Sequence, residues 1–223
     1  MQSQRSTGNP EATEANPAND ITVLHLDDWL LVVDKPAGLL SVPGRLPEHK
    51  DCLTTRLQVS YPDALNVHRL DQVTSGVMVF ARDAATHRAL SDAFARREVD
   101  KTYVALVEGI VAQDEGRIEL PLICDWPNRP RQVVDHLNGK TAITDWHVIE
   151  RDVAAGCTRV ALHPLTGRSH QLRVHMAELG HPIVGDTFYG AGAAPRVCLH
   201  ATRLGLVHPA SGEYVEWQSP PAF

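Results

Sequence analysis

The chain lacks the short patterns that usually mark a cofactor or metal site. Its four cysteines, Cys52, Cys124, Cys157 and Cys198, lie far apart with no C-x-x-C pair. That spacing argues against a zinc ribbon and suits reduced thiols in a cytosol. No H-E-x-x-H occurs, and among 12 histidines His170 and His175 stand five apart, not the four that place two ligands on one helical face. Hydrogen-bonded or solvated histidines are therefore expected, and no metal. Neither G-x-G-x-x-G nor a P-loop is present, so no nucleotide cofactor is expected either. The absence of G-x-S-x-G removes the commonest serine-hydrolase signature. No segment approaches the ~20 apolar residues that span a bilayer, so no membrane association is expected.

Positive charge is also scarce. Lys and Arg number 21 against 27 Asp and Glu, a net charge of −6. That sum speaks against nucleic acid, but the field at a bound phosphate depends on local clustering. Arg129 and Arg131 gather in one segment, Arg168 and Arg173 in another, and Arg45 and Arg69 sit inside motifs. Many acids lie elsewhere, at Asp27, Asp28, Glu115, Glu119 and Asp152. An acidic body with a basic cleft accommodates both sets.

Residues 1–20 are rich in Gln, Ser, Thr, Asn, Pro and Glu without an apolar core. They read as a disordered, untargeted tail, which implies a cytoplasmic protein. Beyond them, residues 21–26 and 30–33 read as paired strands around Asp27-Asp28. Strands are expected at 77–80, 101–107, 118–122, 141–150, 158–162, 197–199, 205–207 and 214–217. Helices are expected at 53–59, at 84–97 with Ala85, Ala89, Leu90 and Phe94 as its apolar positions, and at 169–179 with Gly180 as terminator. On the last helix Leu172, Met176 and Leu179 share an apolar face, leaving Arg173 on the flank. Strands dominate with few helices between them, so the class is α+β with a mixed, largely antiparallel sheet.

The richest stretch is His68-Arg69-Leu70-Asp71, followed by Thr74-Ser75-Gly76 and the apolar run Val77-Met78-Val79-Phe80. It sets a carboxylate beside a permanent cation on a turn anchored by a buried strand, rigidly held but reachable. By composition alone Asp71 reads equally as a turn cap.

This run resembles the H-R-L-D-x-x-T-S-G signature of the RluA-type pseudouridine synthases. Four further elements resemble that family in order: Asp34-Lys35-Pro36-Ala37-Gly38-Leu39-Leu40, Lys101-Thr102-Tyr103-Val104-Ala105, Thr166-Gly167-Arg168-Ser169-His170-Gln171-Leu172-Arg173-Val174-His175, and Gly185-Asp186-Thr187-Phe188-Tyr189-Gly190. Ser41-Val42-Pro43-Gly44-Arg45 and the run from Leu122 through Pro130 look most like one branch, whose members act on both 23S rRNA and a tRNA anticodon stem-loop. The resemblance implies one pseudouridine synthase catalytic domain over residues 21–223, a sheet flanked by helices with a central active-site cleft. Many relatives carry an S4-like domain first; none is expected here.

Pseudouridine formation breaks the N1–C1′ glycosidic bond, turns the uracil and rejoins it through C5. It needs no redox change, hence no cofactor. By the resemblance Asp71 is the carboxylate that attacks C1′ or takes a sugar proton, and either role needs it ionised. Arg173 is expected to pair bidentately with it. Tyr103 is expected to stack on the uracil or act near C5, and Arg69 to fill the space an extruded base leaves. His68 orients the loop or touches RNA, and Arg45, Arg129, Arg131 and Arg168 are expected RNA contacts. The expected partners are stem-loops of 23S rRNA and tRNA.

Overall fold

The structure, a computed structural model, describes residues 21–223. The tail expected at 1–20 lies outside the described residues. The first hairpin joins β1 (Thr22–Leu26) to β2 (Leu30–Lys35). Its turn is made by Asp27, whose Oδ1 accepts the backbone N–H groups of Trp29 at 2.8 Å and Leu30 at 2.7 Å. A short carboxylate side chain on a turn offers this bond to nearby amides.

The remaining strands are β3 (Leu65–Asn66), β4 (Ser75–Ala81), β5 (Asp100–Glu108), β6 (Glu115–Cys124), β7 (Gln132–Val134), β8 (Lys140–Asp152), β9 (Cys157–Pro164), β10 (Leu199–Val207) and β11 (Tyr214–Gln218). They form one mixed sheet in the order β1-β2-β4-β10-β5-β9-β8-β6-β7, with β3 on β4 and β11 on β10. Every pairing among them is antiparallel except β4 with β10. The two short strands β3 and β7 were not foreseen. At two and three residues they are below the length at which alternation can be read.

All seven residues of β4 are buried, which is why its sequence is a continuous apolar run rather than an alternating one. Its parallel contact with β10 is brief, Ser75 against His200 and Gly76 against Ala201. Gly76 has φ +116°, and any Cβ there would be driven into the Ala201 carbonyl oxygen. Only glycine serves at this crossing. Strands expected separately at 197–199 and 205–207 are one strand, β10. A register irregularity between Ala201 and Arg203 carries the chain through its polar middle, where the Thr202 hydroxyl donates to Ser219 O at 2.6 Å.

Helix α1 (Leu53–Ser60) packs Leu53 and Leu57 into the core beside β2 and β4. Helix α2 (Ala84–Arg96) starts at Asp83, whose Oδ1 accepts from Ala85 N at 2.8 Å and Thr86 N at 2.9 Å. Its inward face is Thr86, Leu90, Ala93 and Phe94, while Ala85 and Ala89 are exposed, contrary to expectation. Alanine is too small to report a face by itself. Helix α3 (Gln171–Glu178) follows His170 and closes before Gly180 at φ +88°. Leu172 and Met176 join the core over β5 and β9, as their spacing implied.

Candidate active site

The loop that carries Asp71 is held from below. Lys35, at the end of β2, is fully buried, and its Nζ donates to Pro36 O at 2.8 Å, Gln72 O at 3.3 Å and Thr74 O at 2.8 Å. Three carbonyls consume all three ammonium protons. Burial lowers the Lys35 pKa to about 8, while the charge of Asp71 acts in the opposite direction. Gly38 N donates to Gln72 O at 2.8 Å, and Gln72 Nε2 returns a bond to Gly38 O at 3.0 Å. The Ser41 hydroxyl donates to Leu70 O at 2.7 Å and accepts from Leu70 N at 3.1 Å. The Lys35-to-Ser41 segment is therefore the cradle of the Asp71 loop. The sequence marked this segment only by its resemblance to a family element, which names Lys35 but not the carbonyls it holds.

Arg173 enters from α3, almost wholly buried. Its bidentate partner is Asp186, not Asp71: Nε donates to Asp186 Oδ2 at 2.6 Å and Nη2 to Oδ1 at 2.8 Å. Asp71 Oδ2 lies 3.8 Å from Nη1. The expected fork onto Asp71 is thus corrected. Asp186, itself buried, takes the Nε–Nη2 edge of the guanidinium, so Nη2 is already committed and Asp71 meets Nη1 alone. The remaining nitrogen faces Asp71 as a close cation. Phe188 and Tyr189 flank the guanidinium, with ring centroids 5.8 and 5.0 Å away.

Asp71, Tyr103, Arg173, Arg69 and Arg168 line a single cavity of about 100 Å³. Residues separated by a hundred positions meet because β4 and β5 both pair with β10 and α3 packs over β5 and β9. Burial, then the charge of Asp71, raises the Tyr103 hydroxyl above the ordinary tyrosine range. It stays a neutral phenol. Arg69 is exposed at the mouth, where no ion pair engages it among the described residues. Arg168 Nε donates to Thr141 O at 3.2 Å, leaving its other nitrogens toward the cavity.

His68 points inward instead. Its Nε2 accepts from Val79 N at 3.1 Å, and its ring stacks on Phe94 at 4.5 Å. Burial and the nearby Lys101 charge push its pKa down to about 3, so it is neutral. Its ring serves to orient the loop. Arg45, Arg129 and Arg131 do not line the Asp71 cavity. Nor do they line the neighbouring hollow of about 410 Å³ bounded by residues 40–44, Pro130, Phe188, Asp71 and Arg173, though each is next in sequence to one of its wall residues, Gly44 or Pro130. Arg129 stacks on exposed Trp126 at 4.2 Å, and Arg131 lies 5.9 Å from the Tyr189 ring centroid.

Four motif residues had been given no task. Asp186 anchors Arg173. Tyr189 accepts from Gln132 N at 2.9 Å and lies 2.7 Å from His170 Nδ1, tying β7 to the start of α3. His170 adopts φ +53°, an unfavourable backbone for a residue with a Cβ, at the rim of the cavity. Gln171 is fully bonded: its Oε1 accepts from the Thr166 hydroxyl and Arg168 N, and its Nε2 donates to Ile143 O and Thr144 Oγ1. That clamps the 166–168 loop against β8. Among the described residues no three His, Cys, Asp or Glu side chains converge as a metal site would require.

A sheet crossing that presents a carboxylate, a phenol and an anchored arginine in one cavity has a known counterpart. Residues 29–178 match the family model described as RNA pseudouridylate synthase. The chain belongs to the RNA pseudouridylate synthase family. It is 51% identical over 214 residues to the dual-specificity RNA pseudouridine synthase RluA of Escherichia coli (strain K12), covering 93% of this chain and 97% of that one. To the protein of that name from Yersinia pestis it is 56% identical over 194 residues, covering 85% and 94%. Human RNA Pseudouridylate Synthase Domain Containing 1 superposes with a TM-score of 0.78 at 30% identity, over 92% of this chain and 85% of that one.

Proposed function

We propose that this enzyme converts specific uridines of structured RNA to pseudouridine, one in 23S rRNA and one in a tRNA anticodon stem-loop. The observation that carries the chemistry is Asp71: a carboxylate in the small cavity shared with Tyr103, with the Arg173 cation 3.8 Å away. Attack on C1′ and proton removal from the sugar both require an ionised carboxylate, and the Arg173 cation faces that charge. Tyr103 is a neutral phenol, so its ring can support the turning uracil without an added charge. Arg69, at the mouth, fills the space the extruded nucleotide vacates. The flanking arginines 45, 129, 131 and 168 take phosphates and loop bases. Half the chain's residues are shared with enzymes named for dual specificity, which supports the paired substrates. A compact catalytic unit reads one loop and its stem, an element two RNAs can share.

The test uses stem-loops of each RNA made with uridine tritiated at C5. The expected result is tritium release from both, with the strand left intact. Strand shortening, or release from neither, would overturn the isomerase reading; release from the rRNA stem-loop alone would overturn dual specificity.

A further inference from the structure

Beside the Asp71 cavity, on the side away from Pro130 and Phe188, lies a second hollow of about 480 Å³. It shares Arg69, Tyr103 and the 166–168 loop with that cavity and extends to the end of α2 and the start of β5. Four cations line it, Arg69, Arg97, Lys101 and Arg168, and no acid does. None of the four forms an ion pair among the described residues. In a chain of net charge −6 this is an uneven distribution. The neighbouring acids are engaged elsewhere, Glu98 by Arg96 at 3.0 Å and Asp100 by the Tyr214 hydroxyl at 2.8 Å. His68, on the wall, is neutral and adds no charge. Lys101 is half-buried, and burial together with the charge of Arg97 depresses its pKa. Two like charges held together without an anion gain when one arrives.

The walls are also held in place. Arg97 takes a left-handed backbone at φ +63°, its N–H bonded to Phe94 O at 3.2 Å, and Phe94 is stacked on His68. Lys101 stands two residues before Tyr103 on the same strand. The trough is therefore in fixed register with the catalytic cavity.

We infer that this trough carries the phosphate backbone of the strand flanking the extruded uridine, with Arg97 and Lys101 as the cations that track it. The inference deepens the isomerase reading and rests on it for the identity of the strand. The opposite hollow has Arg69 and Arg173 on its walls together with Asp71, Leu40, Val42, Pro43 and Phe188, so its cations are accompanied by an acid. The trough has cations and no acid on its walls.

The test measures stem-loop binding against salt for the wild type, for Arg97→Gln with Lys101→Gln, and for the charge-keeping Arg97→Lys with Lys101→Arg. Two lost contacts to a single strand should flatten the plot of log affinity against log salt by about 1.4. The neutral variant should weaken binding at low salt about tenfold or more, its effect falling on KM more than on kcat. The charge-keeping variant should retain the slope. Methylphosphonates at the phosphates next to the target should bring the wild type to the slope of the neutral variant. An unchanged slope in the neutral variant, or equal loss in both variants, would overturn the trough. Slope loss supports it whether or not tritium is released, whereas a wild type that releases none counts against the isomerase reading alone.

Discussion

Arg173 spends two nitrogens on Asp186 and turns the third toward Asp71, 3.8 Å away. Asp186 is thus the anchor and Asp71 the group acted upon. A fork onto Asp71 would have tied that carboxylate down; a single facing nitrogen leaves it free for the role proposed for it.

Asp71→Asn keeps the volume of the side chain and removes the charge. Isomerisation should be abolished while RNA affinity and melting temperature stay near those of the wild type. Turnover within tenfold of wild type would remove Asp71 from the chemistry.

Asp186→Asn leaves the buried Arg173 charge without its main partner. Removing one member of a buried pair costs about 3–5 kcal/mol, so both stability and turnover should fall. Arg173→Lys should recover little of either, since an ammonium cannot span both oxygens of Asp186. Denaturant titration beside tritium release checks both, and a stable, active Asp186→Asn protein would show the anchor to be dispensable.

Tyr103→Phe separates stacking from proton handling. The ring survives, so RNA binding should persist while product formation stalls. Normal turnover by the phenylalanine variant would reduce Tyr103 to a platform.

Two buried histidines make the fold sensitive to acid. Burial pushes His175 down to about 4, and burial with the Lys101 charge pushes His68 to about 3, from an ordinary value of 6.5. Between pH 6.5 and 4 the unfolded chain binds protons at both sites that the folded chain refuses, so stability is lost as pH falls through that window. Each histidine should account for roughly 3 kcal/mol by pH 4, and the pair for about 6 kcal/mol. Denaturant midpoints at pH 7, 6, 5 and 4 should decline less steeply for His68→Gln with His175→Gln than for wild type. Parallel slopes would contradict the assignment.

Features set by near neighbours in the chain were legible in the sequence, and those set by distant ones were not. Val77-Met78-Val79-Phe80 announced a buried strand because burial on both faces leaves an unbroken apolar run. Gly180 marked the end of α3 because a left-handed residue after a helix is a local dihedral. The same local rules misread α2, where Thr86 is buried and Ala89 exposed, and split β10 at its polar centre. Motif resemblance brought Asp71, Tyr103 and Arg173 to attention, and the fold set all three around one cavity.

What the sequence determined by itself was the class of chemistry and the alternation of strands and helices, since both are carried by residue identity and short spacing. The tertiary structure alone decided which carboxylate Arg173 grips, that Lys35 supports the Asp71 loop through the carbonyls of Gln72 and Thr74, and that His68 turns inward. These depend on contacts across 13, 37 and 11 residues of chain. A motif names its members but not their partners. Partners are chosen when the sheet closes and each buried polar group must be matched to whichever one lies within reach.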